Sequence, residues 1–158
     1  MSIFLLNLLL ALAWAALTGS FEPVNLVFGF LLGYGVLWVV FRSLKPNRYF
    51  RTLPRVLEFV LFFAWELITA NIRLALTILS PKMRLRPAVV SVPLELHSQA
   101  GVVLLANLVT LTPGTLALDI SSDQKMLYIH TLWLEDAEQF RRDVKQGYER
   151  RVKEIFEG

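Results

Sequence analysis

The sequence predicts a membrane-embedded helical half followed by a small α+β domain, and three observations carry that prediction. Across the first 41 residues the only charged side chain is Glu22. Residues 42–55 (RSLKPNRYFRTLPR) then bring Arg42, Lys45, Arg48, Arg51 and Arg55 together without a single acid. Beyond residue 87 the apolar residues change from helical spacing to strict alternation, the period of a strand with one buried face.

Composition agrees with this division. The 158 residues are 55% hydrophobic and 18% charged, too apolar for an average soluble domain. A net charge of +3 and a pI near 9.4 raise the question of nucleic acid. The surplus comes from the 42–55 run and from Lys82, Arg84 and Arg86, while residues 98–158 carry seven basic and nine acidic side chains. Charge placed beside apolar spans suits an anionic lipid surface, so lipid and not nucleic acid is the expected partner. Cysteine is absent, which excludes disulfides, thiol chemistry and thiolate metal sites.

Taken in order, Ile3–Thr18 is an uncharged run rich in Leu and Ala. At about 1.5 Å per residue it reaches roughly 24 Å, and Gly19 to Phe21 lengthen it toward a ~30 Å hydrocarbon core. A cleaved signal peptide is the rival reading, but no Lys or Arg precedes the run and a second apolar run follows at once. That second run, 24–41, is opened by Pro23 at a helix-start position. Residues 1–41 are therefore expected to form a transmembrane hairpin. Clustered cations favour the cytoplasmic side, which places the 42–55 linker and the N-terminus there. Gly29 and Gly33 form a GxxxG that lets another helix approach closely, either the first helix or a separate chain.

Residues 56–80 predict a third apolar helix with a polar stripe: Glu58, Glu66, Thr69, Arg73, Thr77 and Ser80, set opposite Phe59, Phe63, Leu67 and Leu74. If it crossed the bilayer, Lys82, Arg84 and Arg86 would fall on the wrong side. An interfacial helix keeps both basic flanks inside, while a third span would need its stripe against a partner. Glu66 and Arg73, two turns apart, are functional candidates if they lie at membrane depth and a solvated face if they do not.

Residues 81–158 predict a cytoplasmic domain. Val90, Val92, Leu94 and Leu96 alternate with Ser91, Pro93 and Glu95 in a first strand, and Pro93 demands a free edge. Ser98 suits an N-cap for a short apolar helix over Gln99–Leu111. The Thr112-Pro113-Gly114-Thr115 block turns the chain into a second strand, in which Leu116, Leu118 and Ile120 alternate with Ala117 and Asp119. Residues 126–134 form a third strand, apolar on both faces and so central. Asp136 with Gln139 suggests a capping box opening a final helix, whose stripe is Phe140, Val144, Tyr148, Val152 and Ile155. The order β-α-β-β-α folds into a ferredoxin-like sheet lacking its last strand.

The run 105–132, LANLVTLTPGTLALDISSDQKMLYIHTL, resembles the E subunit of Mrp-type multisubunit sodium/proton antiporters. The similarity rests on Leu111 to Thr115, a strand ending in Asp119, and Leu127-Tyr128-Ile129-His130. The hairpin, basic linker, third apolar segment and charged C-terminal helix agree in layout over essentially the whole chain. The resemblance implies an accessory subunit of an antiporter complex in the bacterial plasma membrane, needed for assembly or activity, with the ion paths in large complex I-like subunits. A stand-alone membrane-tethered adaptor recruiting a cytosolic partner is the alternative.

Signatures of enzymes are missing from the sequence: it contains no GxxxxGK, HExxH or nucleophile elbow. No cofactor and no metal are expected, and His97 and His130 read as structural. Thr112, Pro113, Gly114 and Thr115 are the residues singled out, either presenting groups to a neighbouring subunit or making a corner that the fold requires. Asp119, on the polar side of its strand, reads as a surface carboxylate or one that bonds the turn near Thr115.

Overall fold

The computed structural model describes residues 3–41, 48–81 and 85–157. It divides into two compact units, Met1–Pro54 and Arg55–Gly158.

In the first unit, α1 (Ile3–Thr18) and α2 (Pro23–Phe41) form an antiparallel hairpin. Its α2 glycines face α1. A Cβ on Gly29 would lie 2.9 Å from Trp14 Cδ1, and one on Gly33 would run into Asn7 Oδ1 and lie 3.3 Å from Leu10 Cβ. A polar knot ties the turn: Trp14 Nε1 donates to Asn25 Oδ1 at 3.0 Å, and Asn25 Nδ2 donates to Thr18 Oγ1 and to the Ser20 carbonyl. Toward the other end, fully buried Asn7 donates through Nδ2 to the Tyr49 hydroxyl at 2.7 Å.

Tyr49 belongs to α3 (Arg48–Leu79), which starts eight residues before the expected 56. Arg48, Arg51 and Arg55 are thus part of a helix and not of a linker, while Arg42 and Lys45 lie outside the described residues. Pro54 does not break this helix. A proline leaves the carbonyl four residues earlier without its donor. Here that carbonyl belongs to Phe50, and the Tyr34 hydroxyl donates to it at 3.4 Å.

The second unit is built on a three-stranded sheet of β1 (Ala88–Pro93), β2 (Thr115–Ile120) and β3 (Met126–Thr131). The order is β1-β3-β2 with both pairings antiparallel, so the doubly apolar strand is central. It stops at Thr131 and not at Leu134, and Trp133 bridges instead to Arg86. One face of the sheet is covered. Val90, Val92, Leu127 and Ile129 meet Leu105, Leu108 and Val109 of α4 (Gln99–Leu111), together with Val144 and Val152 of the C-terminal helix. Ser98 caps α4, its side chain accepting from the Gly101 N–H.

Two departures concern the strands. A bulge between Ala117 and Asp119 breaks the alternation of β2, and Leu116 and Leu118 are exposed. Both outer edges are blunted. Arg141 Nε donates to the Ser91 carbonyl on β1 at 2.8 Å, the Glu149 carboxylate accepts from the Glu95 N–H, and the Ile120 N–H of β2 donates to Asp119 Oδ1 at 2.8 Å. Such plugs, together with Pro93, prevent strand addition.

The C-terminal helix is α5 (Ala137–Asp143), a π-helical turn (Val144–Glu149) and α6 (Arg150–Phe156). In that turn the Arg150 N–H reaches the Lys145 carbonyl, five residues back. The apolar stripe explains it. From Phe140 to Val152 its members recur every four residues, about 1.2 residues more than three α-turns hold, and one inserted residue restores the phase. Only half of the expected capping box forms. Asp136 accepts from the Glu138 and Gln139 N–H groups, but the Gln139 amide donates forward to Asp143.

Against this helix lies the beginning of α3's second-unit portion. Phe59 is buried in the core, and Phe62 and Phe63 pack edge-on against Tyr148. Arg55 Nη1 donates to the Glu154 carbonyl at 2.9 Å, and Arg151 lies 3.8 Å above the Phe62 ring. The expectation that Phe59 and Phe63 oppose the polar stripe is corrected. They share its side because the stripe, and not its opposite face, meets the domain.

Candidate functional site

The Thr112–Thr115 corner ends α4 and starts β2. Thr115 N–H donates to the Thr112 carbonyl at 3.1 Å, closing a four-residue turn with Pro113 second and Gly114 third. Gly114 has φ +93°, the left-handed conformation that a type II turn requires at that position. A Cβ there would also run into the Trp133 ring.

Both threonine hydroxyls turn back into the domain. Thr112 Oγ1 donates to the Leu108 carbonyl at 2.9 Å, and Thr115 Oγ1 donates to the Val109 carbonyl at 2.7 Å. They satisfy carbonyls that a helix C-terminus leaves open. Thr110 Oγ1 performs a related service across the corner, accepting from the Ala117 N–H at 3.2 Å. Asp119 is not part of the turn, its carboxylate being bound to its neighbour's N–H.

The corner forms part of one wall of a cleft of about 1570 Å³. Thr112, Pro113 and Thr115 line it together with Trp133, Leu134, Asp143 and Tyr148. The facing wall is the polar stripe of α3: Glu66, Thr69, Arg73, Thr77 and Ser80. Two groups of candidates that are nearly forty residues apart in sequence therefore face one space. Glu66 and Arg73 share a wall, and among the described residues no ion pair joins them.

Within the cleft lining, the Tyr148 hydroxyl lies 3.2 Å from Thr112 Oγ1. Burial pushes the Tyr148 phenol above its ordinary value, the Thr112 hydrogen bond opposes this, and the Glu66 carboxylate adds to the rise. Because Thr112 Oγ1 gives its own proton to the Leu108 carbonyl, the Tyr148 hydroxyl is the donor of the bond between them. Elsewhere, Glu157 accepts from the His97 and Ser98 N–H groups at 2.7 and 3.0 Å, and these bonds hold its carboxyl below the usual range. His130 sits in β3 with its neighbours across the strands being Val89 and Leu116. Among the described residues no group of three His, Asp or Glu gathers to hold a metal.

Several determinants escaped the sequence reading. Asn7 carries the one polar side chain of the first apolar run before Trp14, a signal that was available. Trp133 and Glu149 gave none, because their roles depend on contacts across the fold.

Chemically, the second unit offers hydrogen-bonding groups and charge around an open cleft, and the first unit offers apolar helices. That combination is compatible with a membrane-associated protein. Comparison with known proteins gives the family. The sequence model of the Na+/H+ ion antiporter subunit family matches residues 7–155. The chain is 37% identical to the E subunit of the Na(+)/H(+) antiporter of Alkalihalophilus pseudofirmus, over 96% of each chain. It is 34% identical to the protein of the same name from Bacillus subtilis, again over 96% of each. Among solved structures, a chain of the membrane-bound sulfane sulfur reductase, an archaeal respiratory membrane complex, superposes with TM-score 0.62 at 26% identity. That match covers 99% of this chain and all of the other. The chain belongs to the family of E subunits of Na+/H+ antiporters.

Proposed function

We propose that this chain is an accessory subunit of a multisubunit Na+/H+ antiporter, supporting assembly or activity of the complex without forming the ion path. The observation that carries the proposal is the family match over nearly the full length. The helices add a physical argument. α1 and α2 contain no Asp, Glu, Lys or Arg. A proton or cation relay through a membrane is built from ionisable groups, and this hairpin supplies none. What it does supply is apolar surface, with Phe4, Leu8, Leu12, Val27, Leu31 and Val39 exposed for lipid or for neighbouring subunits.

The same reading gives a topology in the bacterial plasma membrane. The hairpin crosses twice, and the basic run from Arg42 to Arg55 stays on the cytoplasmic side with anionic headgroups. The domain of residues 81–158 lies in the cytoplasm as a ferredoxin-like sheet lacking its last strand, a description supported by the β1-β3-β2 order with helices on one face. In that domain Thr112, Pro113, Gly114 and Thr115 set the corner, and Asp119 protects the edge of β2. Gly29 and Gly33 hold the hairpin closed, while Glu66 and Arg73 present charge to the cleft.

Purification of the tagged chain in mild detergent tests the assignment. Recovery with several polytopic membrane subunits is the expected result. Recovery alone, or with cytosolic proteins only, would leave a tethered adaptor in its place.

A further inference from the structure

Hydropathy marks α3 as long and apolar enough to cross a membrane. Its surroundings in the second unit argue otherwise. The portion from Arg55 to Phe63 is covered by the C-terminal helix, through Phe59 in the core, Arg55 on the Glu154 carbonyl and Arg151 over Phe62. That covering helix carries Arg150, Arg151, Lys153 and Glu154 within two turns. Charge at such density does not enter hydrocarbon, so the covered part of α3 lies at the aqueous side. From Glu66 to Leu79 the helix then has only about 20 Å left, roughly two-thirds of a ~30 Å core. Glu66 and Arg73 would have to be carried inside it.

The opposite face of α3 completes the argument. Leu57, Leu61, Ile68, Ile72 and Leu79 are all at least 54% exposed, from end to end of the helix. Their stripe runs about 33 Å along the side turned away from both the domain and the cleft. Asn71 interrupts it, but its Nδ2 is satisfied by the Leu67 carbonyl at 2.7 Å. Cations flank this stripe at both ends in the sequence: Arg42, Lys45, Arg48 and Arg51 before, and Lys82, Arg84 and Arg86 after. A long apolar face with basic flanks is complementary to an anionic bilayer surface.

We infer that α3 does not cross the membrane but lies in its plane, with Leu57, Leu61, Ile68, Ile72 and Leu79 sunk into the acyl boundary of an anionic leaflet. Its polar stripe points down to the cleft and the domain. The inference rests on the membrane placement of α1 and α2 proposed above, and not on the chemistry of the complex.

The chain has no cysteine, so single cysteines report unambiguously when read on the tagged chain. In intact cells and inverted vesicles carrying the full complex, Asn47→Cys and Glu138→Cys are treated with a membrane-impermeant maleimide. An in-plane α3 leaves both reactive from the same side. Reactivity from opposite sides means a crossing and overturns the inference. Nitroxides at Leu61→Cys, Ile68→Cys and Leu79→Cys then identify what covers the face. Strong oxygen accessibility, weak nickel-chelate accessibility and one common shallow depth are expected. Labels shielded from both reagents would mean that a protein neighbour occupies the face, which also overturns it. Leu31→Cys in α2 is the reference: lipid contact there with none along α3 defeats this inference alone, while its absence at both defeats the hairpin placement as well.

Discussion

Gly114 concentrates two independent constraints, a backbone at φ +93° and the Trp133 ring where a Cβ would stand. The backbone constraint alone makes a side chain cost about 1–3 kcal/mol, and a branched one must also displace the indole. Gly114→Val is therefore expected to lower the amount of the chain itself in the cell, with the complex falling in proportion. A normal chain level with lost complex would instead give the corner a role at a subunit interface, and an unchanged complex with intact transport would give it neither. The Pro-Gly pair made this turn legible in sequence, since each residue has its own place in a type II turn. The direction of the threonine hydroxyls was not legible. Whether Thr112 and Thr115 face a partner or the last carbonyls of α4 depends on how the helix meets the sheet, and they bond to Leu108 and Val109. Asp119 is the surface carboxylate that the polar side of its strand suggested, and it accepts from the Ile120 N–H.

At the scale of elements, hydropathy and periodicity placed the helices and strands within a few residues, except for the start of α3, because burial sets both patterns. Boundaries were lost where a tertiary contact overrides a local rule. The basic run to Arg55 read as a linker, yet α3 begins at Arg48 and runs through Pro54, with Tyr34 on the Phe50 carbonyl that proline leaves open. The π turn was present in the sequence as a stripe repeating every four residues, a spacing that no straight α-helix keeps on one face. For the hairpin, close contact is confined to one side of α2. A Cβ on Gly33 would press on Asn7 and Leu10, whereas one on Gly35 would meet nothing within 4 Å. Gly33→Val is expected to lower the thermal midpoint of the detergent-solubilised chain by an amount matching about 1–3 kcal/mol of overpacking, and Gly35→Val to leave it unchanged. Equal effects from the two would mean that helix propensity and not interhelical contact sets hairpin stability.

The whole molecule joins two kinds of surface. The first unit exposes uncharged apolar helices, and the second presents a polar cleft and a sheet whose edges are closed to strand addition. The helices α1 and α2 contain no Asp, Glu, Lys or Arg, and both units offer surface for neighbours, as a component of a larger assembly would. The family match over residues 7–155 gives that assembly its identity. The central claim is that this chain supports the antiporter without conducting its ions. It is tested most directly by sodium-driven proton movement in vesicles whose complex is assembled with the chain and then depleted of it. The account predicts that depletion reduces transport, through fewer intact complexes or slower turnover, and that each complex still assembled keeps its sodium preference. Assembled complexes whose sodium preference changes without this chain would contradict it, since the chain would then belong to the ion path.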